Sequence, residues 1–328
     1  MRVTLLPDNR PLTIEPGETL LSALRRQNEP ISYSCEDGRC GLCRCGLAIA
    51  DHMTSDNTLI NDHGEKSTVL ACQTVPNSDC LVELSDPKDI LVVKPQIVRA
   101  QVASIEKLAD RVLEITLRTK KPLRFAAGQH FELSLSTNFV RMYSAASLPS
   151  DLELKFQVQL HPGGRASKYF IETLKIGETV RLRGPMGTAY LREHCTAPTL
   201  FVSSGTGLGA MLALLRSFAK AGKSNAVHAY AGFTMSEDAY GADALDKAIA
   251  DIMSARNYQR VIGGGPMARR DRRGLLTEAL AANLGDLRMW RAYVFGSPHA
   301  TEATARLLRQ KGITPERLHV ESFQFAAI

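Results

Sequence analysis

Four cysteines constrain this chain more than any other feature of its sequence. Cys35, Cys40 and Cys43 lie at x4 and x2 intervals in "SCEDGRCGLCRCG", and Cys72 follows after 28 intervening residues in "VLACQ". This is the plant-type spacing with which four thiolates hold a 2Fe–2S cluster. Such ligation needs a tight loop that aims three thiolates at two irons while backbone N–H groups point at the sulfurs. Gly38 and Gly41 allow the turns, because only glycine takes positive φ freely. A structural zinc site presents paired C-x2–4-C knuckles, and here only one half of the set is so paired, which favours the iron–sulfur reading. Cys45, Cys80 and Cys195 fall outside the spacing and read as small buried hydrophobes. Cys45 is therefore the expected bystander in the crowded loop.

The remaining composition sets broad bounds. With 328 residues the chain has room for two or three domains. The first residues, "MRVTLLPDNRP", hold neither a long apolar core nor a small-residue cleavage site, so a cytoplasmic location is expected. A reducing compartment disfavours disulfides and makes clustered thiols metal ligands. No apolar run approaches a membrane span, and no membrane partner is expected. The net charge of +6 conceals an asymmetry: residues 1–92 carry 8 Lys and Arg against 14 Asp and Glu, a net of −6, and the rest carry 32 against 20, a net of +12. A basic body suits phosphate-rich cofactors. The densest basic run, "ARRDRRG" at 268–274, lacks interleaved aromatics and gives no nucleic-acid signal.

Pattern along the chain divides it in three. "RVTLL" and "LTIE" flank a Pro-Asp-Asn turn as a hairpin does, and "ETLLSALRRQN" has helical spacing at Leu20, Leu21 and Leu24 with Thr19 as its cap. "GLAIA" and "LVELS" are further strands of a small α+β domain over 1–92, and "SDPKDILVVKP" at 85–95 reads as a linker. Over 97–195, "VLEITLRT", "HFELSLS", "LELKFQVQL" and "TVRLRG" alternate apolar and polar residues, the signature of an antiparallel barrel. Over 196–328, the buried-type strands "TLFVSS", "AVHAYAGF", "YQRVIGG" and "RAYVFG" interleave with helical patterns, which predicts a parallel Rossmann-like α/β sheet.

"TLFVSSGTGLGAMLALL" runs strand, glycine-rich turn, helix. Gly205, Thr206 and Gly207, with Ala210, fit the dinucleotide fingerprint in its G/A form. Without side chains there a pyrophosphate approaches the free N–H groups of the helix N-terminus. Glu237 and Asp238 stand late after the second strand, and no arginine follows that strand closely to hold a 2′-phosphate, so NADH is favoured over NADPH.

In their order, the cysteine loop, "RMYSAAS" at 141–147, "GPMG" at 184–187, "GTGLGA", "WRAY", "FGSP" and a late "ESF" give the whole chain a resemblance to ferredoxin–NADP reductase-like electron transferases. It is most similar to the reductase component of naphthalene-dioxygenase-type aromatic-ring hydroxylating systems. The resemblance implies a β-grasp ferredoxin domain, an FAD-binding barrel and an NAD-binding α/β domain. It implies that Arg141 clamps a flavin phosphate, that Tyr143 lies against the isoalloxazine and that Ser144 bonds its N5. "HPGGRASKYF", with Gly164 and Ser167, is similar to the family's second flavin-phosphate segment, and Phe323 is implied on the other flavin face. Gly296 and Pro298 match the family's Cys-Gly-x-Pro at the nicotinamide, but Phe295 replaces its cysteine. Gly209 and Ala210 replace the Ala-Pro of its G-T-G-x-A-P, and Gln159 stands where near relatives carry arginine. The implied activity passes electrons from NADH through FAD and the cluster to a Rieske-type ferredoxin or a terminal oxygenase, with the chain a monomer. A reductase of a diiron monooxygenase is the alternative within this class. A non-enzymatic zinc or Fe–S regulator is the alternative from another.

Overall fold

The computed structural model describes residues 2–33, 36, 38, 43–50, 52, 53, 59, 60, 67–84, 91, 93, 95–136 and 138–323. Two compact units divide the chain, Met1–Pro95 and Gln96–Ile328.

In the first unit β1 (Val3–Leu6) and β2 (Arg10–Leu12) form the expected hairpin, paired antiparallel with Val3 opposite Leu12. Thr19 caps α1 (Leu20–Arg26), its Oγ1 accepting from the Ser22 N–H at 3.2 Å. There follow β3 (Arg44–Ile49), the short antiparallel pair β4 (His52–Met53) and β5 (Leu59–Ile60), then β6 (Ser67–Leu70) and β7 (Cys80–Glu83). The main sheet has the order β2-β1-β7-β3-β6, with β1 and β7 parallel and the other pairs antiparallel. Leu20, Ala23 and Leu24 of α1 share one core with Val3, Leu5, Leu12 and Val82 of the sheet. A mixed sheet closed over one helix is the β-grasp arrangement. Most of the expected linker (85–90, 92 and 94) lies outside the described residues.

The second unit begins with β8 (Gln96–Ala109), β9 (Val112–Thr119), β10 (His130–Ser136), β11 (Phe139–Ser144) and β12 (Glu153–Gln159). The short helix α2 (Arg165–Lys168) runs into one π-turn, Tyr169–Thr173, before β13 (Thr179–Met186). These strands form one antiparallel sheet in the order β11-β10-β13-β8-β9-β12. Its ends meet through a bridge between Ala145 and Phe156 and a 2.8 Å bond from the Ala146 N–H to the Lys155 carbonyl, which closes the sheet into a barrel. Leu154, Phe156 and Val158 of β12 alternate into its interior, the pattern the sequence shows.

The chain continues through β14 (Thr199–Ser204), α3 (Gly207–Lys220), β15 (Val227–Met235), a 3-10 turn at Ser236–Asp238 and α4 (Ala242–Ala250). It ends with β16 (Ala255–Gly264), β17 (Arg272–Arg273), α5 (Leu276–Asn283), β18 (Arg291–Gly296), α6 (Pro298–Gln310) and β19 (Leu318–Ser322). All its strands pair parallel in the order β17-β16-β15-β14-β18-β19. The sheet has a core on each face, one with Phe201, Phe218, Tyr293 and Phe295, the other with Leu200, Val202, Tyr230, Leu280 and Leu308. Strands buried on both faces explain the continuous apolar runs in the sequence. Because β15 and β18 flank β14 on opposite sides, the strand order reverses at β14, and a crevice opens beyond its carboxyl end. Among the described residues no helix is long and apolar enough to cross a membrane.

Candidate functional site

Two of the four spaced cysteines lie among the described residues, and the fold brings them together. Cys43 precedes β3 and Cys72 follows β6, so the pairing of those strands makes them neighbours; the Ala71 N–H bonds the Cys43 carbonyl at 2.9 Å. Both side chains are buried. The Cys72 N–H donates to Cys43 Sγ at 3.5 Å, and Gln73 Nε2 donates to Cys72 Sγ at 3.8 Å. N–H donors aimed at buried sulfurs suit thiolates that carry charge into a cluster. Cys35 and Cys40 lie outside the described residues, so no group of three ligands is assembled among those that are described. Cys45 on β3 and Cys80 on β7 are also buried. Burial pushes the Cys45 thiol up to about 12 and the Cys80 thiol up to about 11, which keeps both protonated at neutral pH.

The barrel presents Arg141, Tyr143 and Ser144 on its edge strand β11. The Arg141 guanidinium lies 4.2 Å over the Phe139 ring, and Arg165 from α2 lies 4.1 Å over the same ring. Among the described residues neither has a carboxylate partner, so two cations converge where a phosphate-bearing ligand suits them. Gly164 caps α2, and a Cβ there would lie 3.0 Å from Ser167 Oγ. Ser167 is buried and accepts the His161 N–H at 2.8 Å, which braces this turn and leaves its hydroxyl hydrogen free to donate. Tyr143 meets Phe170 edge to face at 5.7 Å, and burial raises its phenol pKa, so the ring stays neutral.

Ser144 ends β11 beside the last strand of the parallel sheet. Its Oγ donates to Glu321 Oε1 at 2.5 Å, and His130 Nδ1 lies 3.2 Å from the same oxygen. Among the described residues, the buried Glu321 Oε2 and His130 Nε2 have no partner. A Cβ on Gly187, which takes φ +99°, would lie 2.8 Å from His130 Nδ1. Glycine at 187 lets the backbone pass this close to the imidazole, and the two unsatisfied polar atoms suit a ligand with polar groups of its own. Sequence reasoning noticed "ESF" without giving Glu321 a role and missed His130 altogether.

The crevice beyond β14 collects the glycine motif and "FGSP". Gly205 takes φ +53° and donates to the Gly232 carbonyl at 2.9 Å; Thr206 then leads into α3. A Cβ on Gly207 would lie 2.5 Å from the Phe295 carbonyl oxygen, so only glycine lets α3 start this close to β18. Gly296 takes φ +143° and would place a Cβ 2.0 Å from Ser204 Oγ, while Pro298 opens α6. Phe295, which stands where the family has cysteine, is fully buried in the sheet's core. Phe323 donates its N–H to the Gly296 carbonyl at 2.7 Å and packs against that same core.

The barrel also grips the segment after β15. Tyr240 donates to Gln157 Oε1 at 2.5 Å, Gln157 donates to Glu114 at 3.2 Å, and Arg111 Nε donates to Asp238 at 3.0 Å. Gly209 has a local reason: a Cβ there would lie 2.5 Å from Gln157 Oε1 and 3.0 Å from the Ala146 methyl.

Comparison with known proteins identifies two family domains in the chain. The 2Fe-2S iron-sulfur cluster binding domain family matches residues 3–77, and the oxidoreductase FAD-binding domain family matches residues 99–190. The chain is 38% identical to the ferredoxin–NAD(P)+ reductase component of the naphthalene 1,2-dioxygenase/salicylate 5-hydroxylase systems of a Ralstonia species, over 98% of both chains. It is 35% identical to the corresponding component of the naphthalene 1,2-dioxygenase system of Pseudomonas putida, again over 98% of both. A solved cytochrome P450 reductase from Amycolatopsis superposes with a TM-score of 0.71 at 27% identity, over 99% of each chain. The joined ferredoxin, flavin and dinucleotide parts are thus shared along the full length, and the chain belongs to the family of ferredoxin–NAD(P)+ reductase components of naphthalene-dioxygenase-type systems.

Proposed function

We propose that this chain is the reductase of an aromatic-ring dioxygenase system, fed by NADH and serving a Rieske-type ferredoxin or the terminal oxygenase. FAD, when bound, would supply hydride acceptance and single-electron release, and a 2Fe–2S cluster would supply one-electron transfer. The residues divide this work among segments 1–92, 97–195 and 196–328. Cys35, Cys40, Cys43 and Cys72 hold the cluster. Arg141, with Gly164 and Ser167 at the head of α2, holds the flavin phosphates. Tyr143 and Phe323 bracket the isoalloxazine, and Ser144 offers its hydroxyl to the reacting nitrogen. Gly205, Thr206 and Gly207 admit the dinucleotide pyrophosphate, with Gly296 and Pro298 beside the nicotinamide. A cytoplasmic location suits clustered cysteines that serve as metal ligands.

One observation carries this reading: the Ser144 hydroxyl, on the barrel's edge strand, lies 2.5 Å from Glu321 on the last strand of the parallel sheet. A ligand held in the crevice beyond β14 is thereby presented to the barrel residues proposed to touch the flavin. Hydride transfer needs this close apposition of donor and acceptor.

An absorption spectrum of the purified protein tests the proposal. Flavin bands together with broad 2Fe–2S absorption, both bleached by NADH, are expected, and a colourless zinc-containing preparation overturns the reading. Cys72→Ser is expected to lose the native cluster, while Cys45→Ser retains about two irons per chain.

A further inference from the structure

The two described cysteines of the cluster set receive hydrogen bonds of different kinds. Cys43 Sγ accepts from a backbone group, the Cys72 N–H, at 3.5 Å. Cys72 Sγ accepts from a side chain, the Gln73 carboxamide, at 3.8 Å. A backbone donor comes with the fold, whereas a side-chain donor depends on one residue. The carboxamide nitrogen has two hydrogens to give. One goes to the Cys72 carbonyl at 3.2 Å, and the other lies toward the sulfur. Bonded to two atoms of the same residue, the carboxamide is fixed against a cysteine that is only 7% exposed.

The backbone around Gln73 is held without help from that side chain. The Gln73 N–H donates to the Leu70 carbonyl at 2.9 Å, and the Ala71 N–H to the Cys43 carbonyl at 2.9 Å. The start of α1 docks on the same turn: the Leu20 N–H donates to the Thr74 carbonyl at 2.8 Å, and the Leu21 N–H to the Ala71 carbonyl at 2.9 Å. The side chain reaches instead to Gly38 of the cysteine loop, which takes φ +83°. A Cβ on that glycine would lie 3.0 Å from Gln73 Cγ and 3.1 Å from its Cδ. Gly38 thus meets a second need besides its turn, leaving room for a glutamine that touches both the loop and Cys72.

We propose that Gln73 is a positioning residue for electron transfer: its carboxamide N–H, held on Cys72 Sγ, raises the reduction potential of the 2Fe–2S cluster and so favours its reduction by the flavin. This rests on the cluster reading given under Proposed function. The step is a one-electron transfer in which the reduced flavin is oxidised, the cluster is reduced and no bond forms or breaks. The electron adds one negative charge, shared among irons and sulfurs. A donor on a ligand sulfur stabilises that charge more in the reduced state than in the oxidised one. Because the turn is fixed by backbone bonds, exchanging the side chain alters the donor and leaves the path of the chain in place.

Redox titration of the full-length holoprotein, followed by electron paramagnetic resonance of the reduced cluster, tests the assignment. Gln73→Leu, which covers Cys72 with similar bulk and no donor, is expected to keep its iron. Its reduction equilibrium is expected to fall roughly three- to tenfold, or about 30–60 mV at about 59 mV per tenfold for one electron. Gln73→Glu is expected to fall further, and Gln73→Lys, which returns a donor, to recover the wild-type potential or exceed it. A Gln73→Leu protein with full iron and an unchanged potential overturns the proposal, as does a drop that Gln73→Lys fails to reverse. If Gln73→Leu loses its iron, the wild type decides. With its glutamine carboxamides labelled with 15N, electron–nuclear double resonance of the reduced cluster is expected to show coupling to 15N. A cluster without that coupling overturns the role given to Gln73 alone. A reduced wild type with no cluster signal overturns the underlying reading.

Discussion

At the scale of single residues, the contact between Ser144 and Glu321 decides most. The hydroxyl has one hydrogen, and the carboxylate holds it at 2.5 Å while His130 Nδ1 approaches the same oxygen. A ligand nitrogen brought to Ser144, as proposed for the flavin, would compete for that hydrogen. Ser144→Ala is expected to slow flavin reduction by NADH roughly ten- to a hundredfold, the loss of one charge-assisted bond. Glu321→Gln, which keeps an acceptor at the position, is expected to cost less than Glu321→Ala. Stopped-flow bleaching measures both, and an unchanged rate in Ser144→Ala would place the hydroxyl away from the reacting atoms. The cysteine spacing was legible in the sequence because three ligands of a cluster share one loop. Glu321 was not, because 177 residues separate it from Ser144 and nothing local marks a carboxylate that will meet a serine.

At the scale of elements, glycine positions set how closely α3 approaches its neighbours. Gly207 faces the Phe295 carbonyl, which is backbone and cannot move aside. Gly207→Ala is expected to destabilise the protein by about 1–3 kcal/mol and to raise the KM for NADH, read by thermal melting and by bleaching kinetics. Gly209→Ala meets chiefly the amide end of Gln157, which can yield, so a smaller loss of stability is expected there. The strand–turn–helix pattern was legible at this site because strand, glycines and helix are consecutive. Other elements were hidden. The 14-residue strand β8 shifts register between Val102 and Ser104 and again between Lys107 and Ala109, which breaks its period of two. β19 reads "LHVES", too polar to announce a strand, yet it pairs along its whole length with β18.

At the scale of the whole molecule, stability depends on a buried histidine of β19. His319 stacks on Tyr293 with ring centres 5.0 Å apart, and its Nε2 lies 3.0 Å from Arg291 Nη1. Burial, and then the charges of Arg192 and Arg291, hold its pKa well below 6.5, so it is neutral in the folded state. As pH falls through 6.5, the unfolded chain binds a proton there that the folded chain refuses. Stability is therefore full above that pH and declines below it, by up to about 1.4 kcal/mol per pH unit. His228 and His161, also lowered by burial, add to the slope. The melting temperature is expected to drop from pH 7 to pH 5, and less so in His319→Phe; an equal drop in that variant would assign the effect to other groups. The division into acidic and basic parts was plain in the charge count, because net charge needs no fold to be read. The two-residue strand β17 has one further effect. It forms the outer edge of the parallel sheet, where unpaired backbone groups are a template for a strand of another molecule. Both of its residues are arginines, and two such edges repel one another, so the basic run also works against aggregation through this edge.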